Sequence, residues 1–164
     1  MSYERLTLIK KNVYDWLYEK INESDYTIGE GAGEIRLLNS FPEINESGEY
    51  VNLVLPTVAI DFKRERSRNN EDFGVTCSYD VEFDVDVFAR DFLEREYILS
   101  VCKKAIEDYS IPYKDYNSVT EVTPTIGYLR SKEVYLIPIN VETPGDQEKY
   151  RGAVNFVVTL IQEY

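Results

Sequence analysis

Cys77-Ser-Tyr-Asp-Val-Glu-Phe-Asp-Val-Asp-Val-Phe88 is the stretch on which the fold turns. From Cys77 to Val87 every odd position is apolar: Cys77, Tyr79, Val81, Phe83, Val85 and Val87. The even positions through Asp86 are polar, and Asp80, Glu82, Asp84 and Asp86 are acidic. Strand side chains point alternately to opposite faces, so this alternation predicts one buried face and one wet face. At about 3.3 Å per residue such a strand runs about 35 Å, far beyond the usual length of about 5–6 residues.

Upstream, Val58, Ile60 and Phe62 alternate with Ala59, Asp61 and Lys63, predicting a strand over residues 57–65 with Pro56 near its beginning. The polar run Arg66–Gly74 links it to the long strand, as in an antiparallel ribbon with an extended tip. If Val58, Ile60 and Phe62 face the core, each pairs with an odd-numbered partner. A tip centred near residues 71–72 then sets Lys63 against Asp80 or Glu82. Residues 3–21 carry Leu6, Ile9, Val13, Trp16, Leu17 and Ile21 at helical spacing, a single apolar stripe. Asp91 with Glu94 resembles a capping box opening a helix whose stripe is Ile98, Val101, Cys102, Ala105, Ile106 and Tyr109, ending before Pro112. Residues 22–50 read as a long irregular loop, with a short apolar patch at Ile35–Leu38. Three closing strands are expected at Val119–Thr125, Val134–Val141 and Gly152–Gln162, the last two joined through Thr143-Pro-Gly-Asp146. The fold class is α+β: one mainly antiparallel β-sheet, two helices on one face, and a long protruding β-hairpin, in a single domain over 1–164.

Bulk properties narrow the function. The 164 residues include fourteen tyrosines and seven phenylalanines, ample for a core, while the net charge is −12. Such a surface repels phosphate backbones and anionic membranes. No signal peptide is expected from Met1-Ser-Tyr-Glu-Arg5, and no apolar run approaches the roughly 18 residues of a membrane span. Cys77 and Cys102 read as buried hydrophobes of a reducing compartment. The chain contains no histidine, which removes Ser-His-Asp and Cys-His nucleophiles and histidine-ligated metals together. No cofactor is implied.

The acidic row admits three readings: a solvated face, a functional acidic surface, or a metal site. A straight row spaces carboxylates about 6.5–7 Å apart, whereas a hard cation needs oxygens converging within about 2.3–2.6 Å. Asp61-Phe-Lys63 at a strand end matches the D-x-K of metal-dependent nucleases, where the Asp holds Mg²⁺ and the Lys polarises water, but the acids preceding it lie in the irregular stretch. Lys63, Arg64, Arg66 and Arg68 are the chain's one basic concentration, either a solubilising loop or an arm that docks on an acidic patch of another copy. Gly29-Glu-Gly-Ala-Gly33 lacks the following lysine of a phosphate cradle and reads as a flexible loop.

Together, the N-terminal helix, the Leu55-Pro-Thr-Val-Ala-Ile60 strand, the Tyr79–Val87 strand, the helix opening Asp91-Phe-Leu-Glu94 and the closing strands resemble the tail terminator or tail-completion proteins of long-tailed bacteriophages, including the lambda-type family. The resemblance spans most of residues 3–163 in size and element order, without a signature motif. It implies a non-enzymatic virion protein, assembled in the host cytoplasm, that forms a homo-hexameric ring. The ring caps the tail tube and joins the tail to the head connector. The implied partners are other copies of the chain, a tail-tube protein and a connector or neck protein, with no membrane. DNA passes through the lumen without specific binding. It further implies that Lys63–Gly74, with Lys63, Arg64, Arg66 and Arg68, reaches a neighbouring subunit, and that Asp80, Glu82, Asp84 and Asp86 face the lumen or an interface. A monomeric adaptor using the 22–50 loop, or a divalent-metal nuclease-like enzyme, are the alternatives.

Overall fold

The computed structural model describes residues 4–69, 77–108, 110–139 and 149–161. Helix α1 (Arg5–Asn22) forms where the apolar stripe predicts it and buries Leu8, Ile9, Val13, Leu17 and Ile21. Asn12 interrupts that stripe and is 3% exposed. Its amide donates to Leu8 O at 2.8 Å and Lys114 O at 3.1 Å, and its Oδ1 accepts from Lys114 N at 2.9 Å, so a buried polar group is fully used.

Strand β1 (Arg36–Leu38) lies in the apolar patch of the long loop. Strands β2 (Thr57–Asn69) and β3 (Cys77–Ala89) follow, then helix α2 (Phe92–Glu107). Strands β4 (Ile111–Lys114), β5 (Thr125–Pro138) and β6 (Tyr150–Ile161) complete one six-stranded mixed sheet in the order β1-β2-β3-β6-β5-β4. Strand β1 runs parallel to β2; every other neighbouring pair runs antiparallel.

The inward residues Val81, Phe83, Val85 and Val87 share one buried cluster with the stripes of both helices and with Val154, Phe156 and Val158 of β6. The pairs Val58–Val87, Ile60–Val85 and Phe62–Phe83 have the parity that core burial requires. Beyond Phe62 the register slips by one. Lys63 is the extra residue of a bulge, so Lys63 opposes neither Asp80 nor Glu82, and its ammonium reaches Asp61 and Asp84 instead.

The opposite face carries a second, smaller core. Leu53, Ala59 and Phe88 are buried there, packed by Leu38, Phe41, Tyr50 and Leu55, so the 38–55 segment of the long loop covers one end of the sheet. A left-handed Gly48 (φ 80°) closes a turn in which Asn45 Oδ1 accepts from the Ser47 and Glu49 amides.

Two expectations for the C-terminal half need correction. Residues 119–125 do not form a strand: Val119 and Val122 are exposed, and the chain enters β5 only at Thr125. A single strand, β5, then runs through residues 126–133, where Arg130, Ser131, Lys132 and Glu133 interrupt the apolar pattern that marks strands. A register shift between Lys132 and Tyr135, with Glu133 at φ 54°, breaks the alternation further. Strand β4 was hidden because Ile111-Pro-Tyr-Lys114 is four residues long and begins beside a proline. The 143–146 turn and the 70–74 part of the hairpin tip lie outside the described residues.

Candidate functional site: an ionic ladder and two open strand edges

Asp80, Glu82, Asp84 and Asp86 project to the face opposite the helices, which sets the four carboxylates in line. In water, acids about 6.5–7 Å apart repel by about 0.6 kcal/mol per pair, whereas an ammonium at about 2.8 Å attracts by about 1.5 kcal/mol. One cation per carboxylate therefore outweighs the repulsion, and the flanking strands supply cations and amides. Asp86 accepts from Arg151 Nη2 at 2.8 Å. Asp84 accepts from Asn155 Nδ2 at 2.7 Å and pairs with Lys63 at 3.3 Å. Glu82 is held by the Arg64 guanidinium and by Asn155 Nδ2 at 3.2 Å. Asp80 accepts from Lys132 Nζ and Thr159 Oγ1, both at 2.7 Å.

The face expected to be wet is thus a ladder of ion pairs, with Asp80 1% and Asp86 3% exposed. Lys132 and Arg151 are the residues that the sequence reading missed. A signal was present for Arg151, the one cation of its strand and on the same parity as Asn155 and Thr159; Lys132 gave none, because Arg130 and Glu133 stand beside it. Burial pushes Asp86 above the ordinary carboxylate value, and the Arg151 pair offsets this only in part. Lys63 is held above the ordinary lysine value first by its hydrogen bond to Asp61. The arginine side of the row continues to Arg151, which lies over the rings of Phe41 and Phe88 at 4.9 and 5.2 Å and so joins the ladder to the second core.

Of the basic quartet, Lys63 and Arg64 bind carboxylates of their own chain. Arg66 and Arg68 stand opposite Asp80 and Ser78 in the strand register, and their side chains lie outside the described residues. In Asp61-Phe-Lys63 the lysine is hydrogen-bonded to the aspartate itself at 2.8 Å. Among the described residues no three His, Cys, Asp or Glu side chains gather for a metal, and no helix is long and apolar enough to cross a membrane.

Glu94 is a separate buried carboxylate. Asp91 caps α2 by accepting from Glu94 N at 2.9 Å. The Glu94 side chain reaches back one residue further than a capping box requires, accepting from Arg90 N at 2.8 Å and from the Arg90 guanidinium. Burial opposes its charge, but Arg90 more than compensates and leaves Glu94 below the ordinary glutamate value.

The sheet borders are the second feature. Strand β1 covers β2 only at Thr57–Ala59, and β4 covers β5 only at Thr125–Leu129. Residues 60–69 of β2 and 130–138 of β5 therefore have no outer strand among the described residues. Arg36 N donates to Pro56 O, so even-numbered residues of this part of β2 turn their backbone outward. Phe62 then offers its N–H and C=O to an edge where β1 has already ended. Beside it a groove of about 700 Å³ opens between α1 and β2, with Ile60, Phe62 and Phe83 along its floor and Lys10 and Tyr14 above. On the open part of β5 the exposed large apolar residues are Tyr135, Leu136 and Ile137. The chain matches no known family model and no curated protein sequence.

Proposed function

We propose that the chain is a structural, non-enzymatic subunit of a phage tail or neck ring, in which a mainly antiparallel sheet carries a protruding β2–β3 hairpin. The ring caps the tail tube, joins the tail to the head connector and passes DNA through its lumen. Its partners are other copies of itself in a hexamer, a tail-tube protein and a neck protein, and it resides in the virion. The observation carrying this reading is that, among the described residues, the two outer long strands are each left open over most of their length. Unpaired N–H and C=O rows bordered by exposed apolar side chains are templates for another strand, and natural monomers blunt such edges. Edges on opposite borders of one sheet join head to tail, and head-to-tail contacts close into a ring when the rotation between copies divides a full turn. The engagement of every ladder carboxylate by a donor supports a scaffold role for that face, and a net charge of −12 suits a surface that DNA slides past. Native mass spectrometry of the full chain, alone and with tail-tube protein, tests the reading: a closed oligomer is expected, and a monomer throughout would overturn it.

A further inference from the structure

Strand directions alternate from β2 through β3 and β6 to β5, so β2 and β5 run in opposite senses. A second copy displaced sideways, without turning over, therefore brings its β2 antiparallel to β5 of the first and keeps its helices on the same side. The register also fixes the height of each border. One row across the sheet is Ile60–Val85–Val154–Leu136, and a higher one is Arg66–Asp80–Thr159–Arg130. Below the first row β1 blocks the β2 border, and above the second β4 blocks the β5 border. Between them, among the described residues, both borders are open at the same height.

The side chains in that window complement one another. Directly paired residues share a face, so Leu136, half exposed, lies on the helix side like Ile60. On the opposite border, at the same height, lies the groove beside Ile60 and Phe62. Both borders also bulge at the same row. Phe62, Phe83 and Phe156 are in register, with the β2 bulge at Lys63 and the β5 bulge between Lys132 and Tyr135. Glu133 occupies the β5 bulge in a left-handed conformation, exposed and without an ion-pair partner among the described residues. Lys10 occupies the β2 side, its ammonium 4.1 Å from the centre of the Phe62 ring and likewise without a carboxylate among the described residues. In a chain with an excess of acids, a lysine left over for an outside carboxylate is notable only because its counterpart stands on the same row.

We infer that a second copy of this chain docks its β5 edge (residues 130–137) antiparallel on the β2 edge (residues 60–66), with Leu136 in the α1–β2 groove and Glu133 against Lys10. The inference rests on the ring-subunit reading and names its joint. The bulges give the contact specificity, because a flat foreign strand does not match them.

The test uses full-length Lys10→Glu, Glu133→Lys and the doubly exchanged protein, each checked for native circular dichroism and compared by sedimentation velocity. Each single variant should associate at least about tenfold more weakly than the parent, as expected for a close interfacial charge pair. The double exchange should restore assembly. A 1:1 mixture of the two single variants should do so too, because every joint then meets one opposite charge. A parent ring to which both reversals are indifferent, or a folded double exchange that stays weak, would overturn the joint while leaving the ring. A parent that is monomeric at all concentrations would overturn the ring, and the joint with it.

Discussion

Replacing Arg151 with Met removes the guanidinium from Asp86 while keeping an apolar stem against Phe41 and Phe88. Asp86 is 3% exposed and already sits above its ordinary value of 3.8 through burial. Left alone, it either stays ionised in a poor medium, at about 3–5 kcal/mol for a broken buried pair, or takes up a proton. The second route sets a ceiling. Protonating a carboxyl of unfolded pKa 3.8 at pH 7 costs about 1.36 kcal/mol for each of the intervening units, or about 4.4 kcal/mol. Part of that cost is already present in the parent, so Arg151→Met should lose about 3–4 kcal/mol at pH 7. The sign follows from linkage. A raised carboxyl pKa means that the folded protein binds more protons than the unfolded chain above pH 3.8, so stability falls as pH rises through that window. The deficit relative to the parent should therefore grow with pH, by up to about 1.4 kcal/mol per unit, and nearly vanish near pH 4. Urea titrations at pH 4, 5, 6 and 7 read it directly, with Asp86→Asn/Arg151→Met expected to recover most of the loss. A deficit below about 1 kcal/mol at pH 7, or one independent of pH, would refute the description of Asp86 as a buried, paired charge.

Glu94→Gln should cost roughly 1–3 kcal/mol at pH 7, since it removes the charge-assisted bonds to Arg90. Because Glu94 is depressed below 4.5, its contribution is present above that pH and lost as pH falls through the folded value; the variant should show a flatter acid limb in a stability–pH curve. Asn12→Ala should lose roughly 2–3 kcal/mol in chemical denaturation, because it orphans the backbone of Lys114 where β4 meets α1. Cys102 is fully buried, and burial pushes its thiol up to about 12. It should resist a thiol-specific disulfide reagent in the native protein and react at once in urea, and rapid native labelling would contradict its place in the core.

The elements legible in the sequence are those whose pattern is local. The alternation of β3 and the stripe of α1 each follow from neighbours a few residues apart, as does the Asp91 cap of α2. The parity of Phe62 against Phe83 was legible too, because a core face permits only one choice. What was not legible is non-local. The acidic row reads as wet because the stretch Cys77–Phe88 holds no cation of its own, and two of its partners are remote: Lys132 lies 52 residues from Asp80 and Arg151 lies 65 from Asp86. Bulges hid the rest: one moved Lys63 onto Asp84, and another, with the polar run Arg130–Glu133, hid the first half of β5. The open borders are likewise a property of which strands neighbour one another. No single stretch of sequence states that β1 stops at Leu38 and β4 at Lys114.

The central claim is that this sheet is completed by another copy of itself, and the mass of the native particle tests it most directly. Native mass spectrometry of the full chain, across a concentration series and with tail-tube protein added, should give a closed ring of whole-number subunits, six on the reading above. A mass of one subunit under every condition would contradict the account.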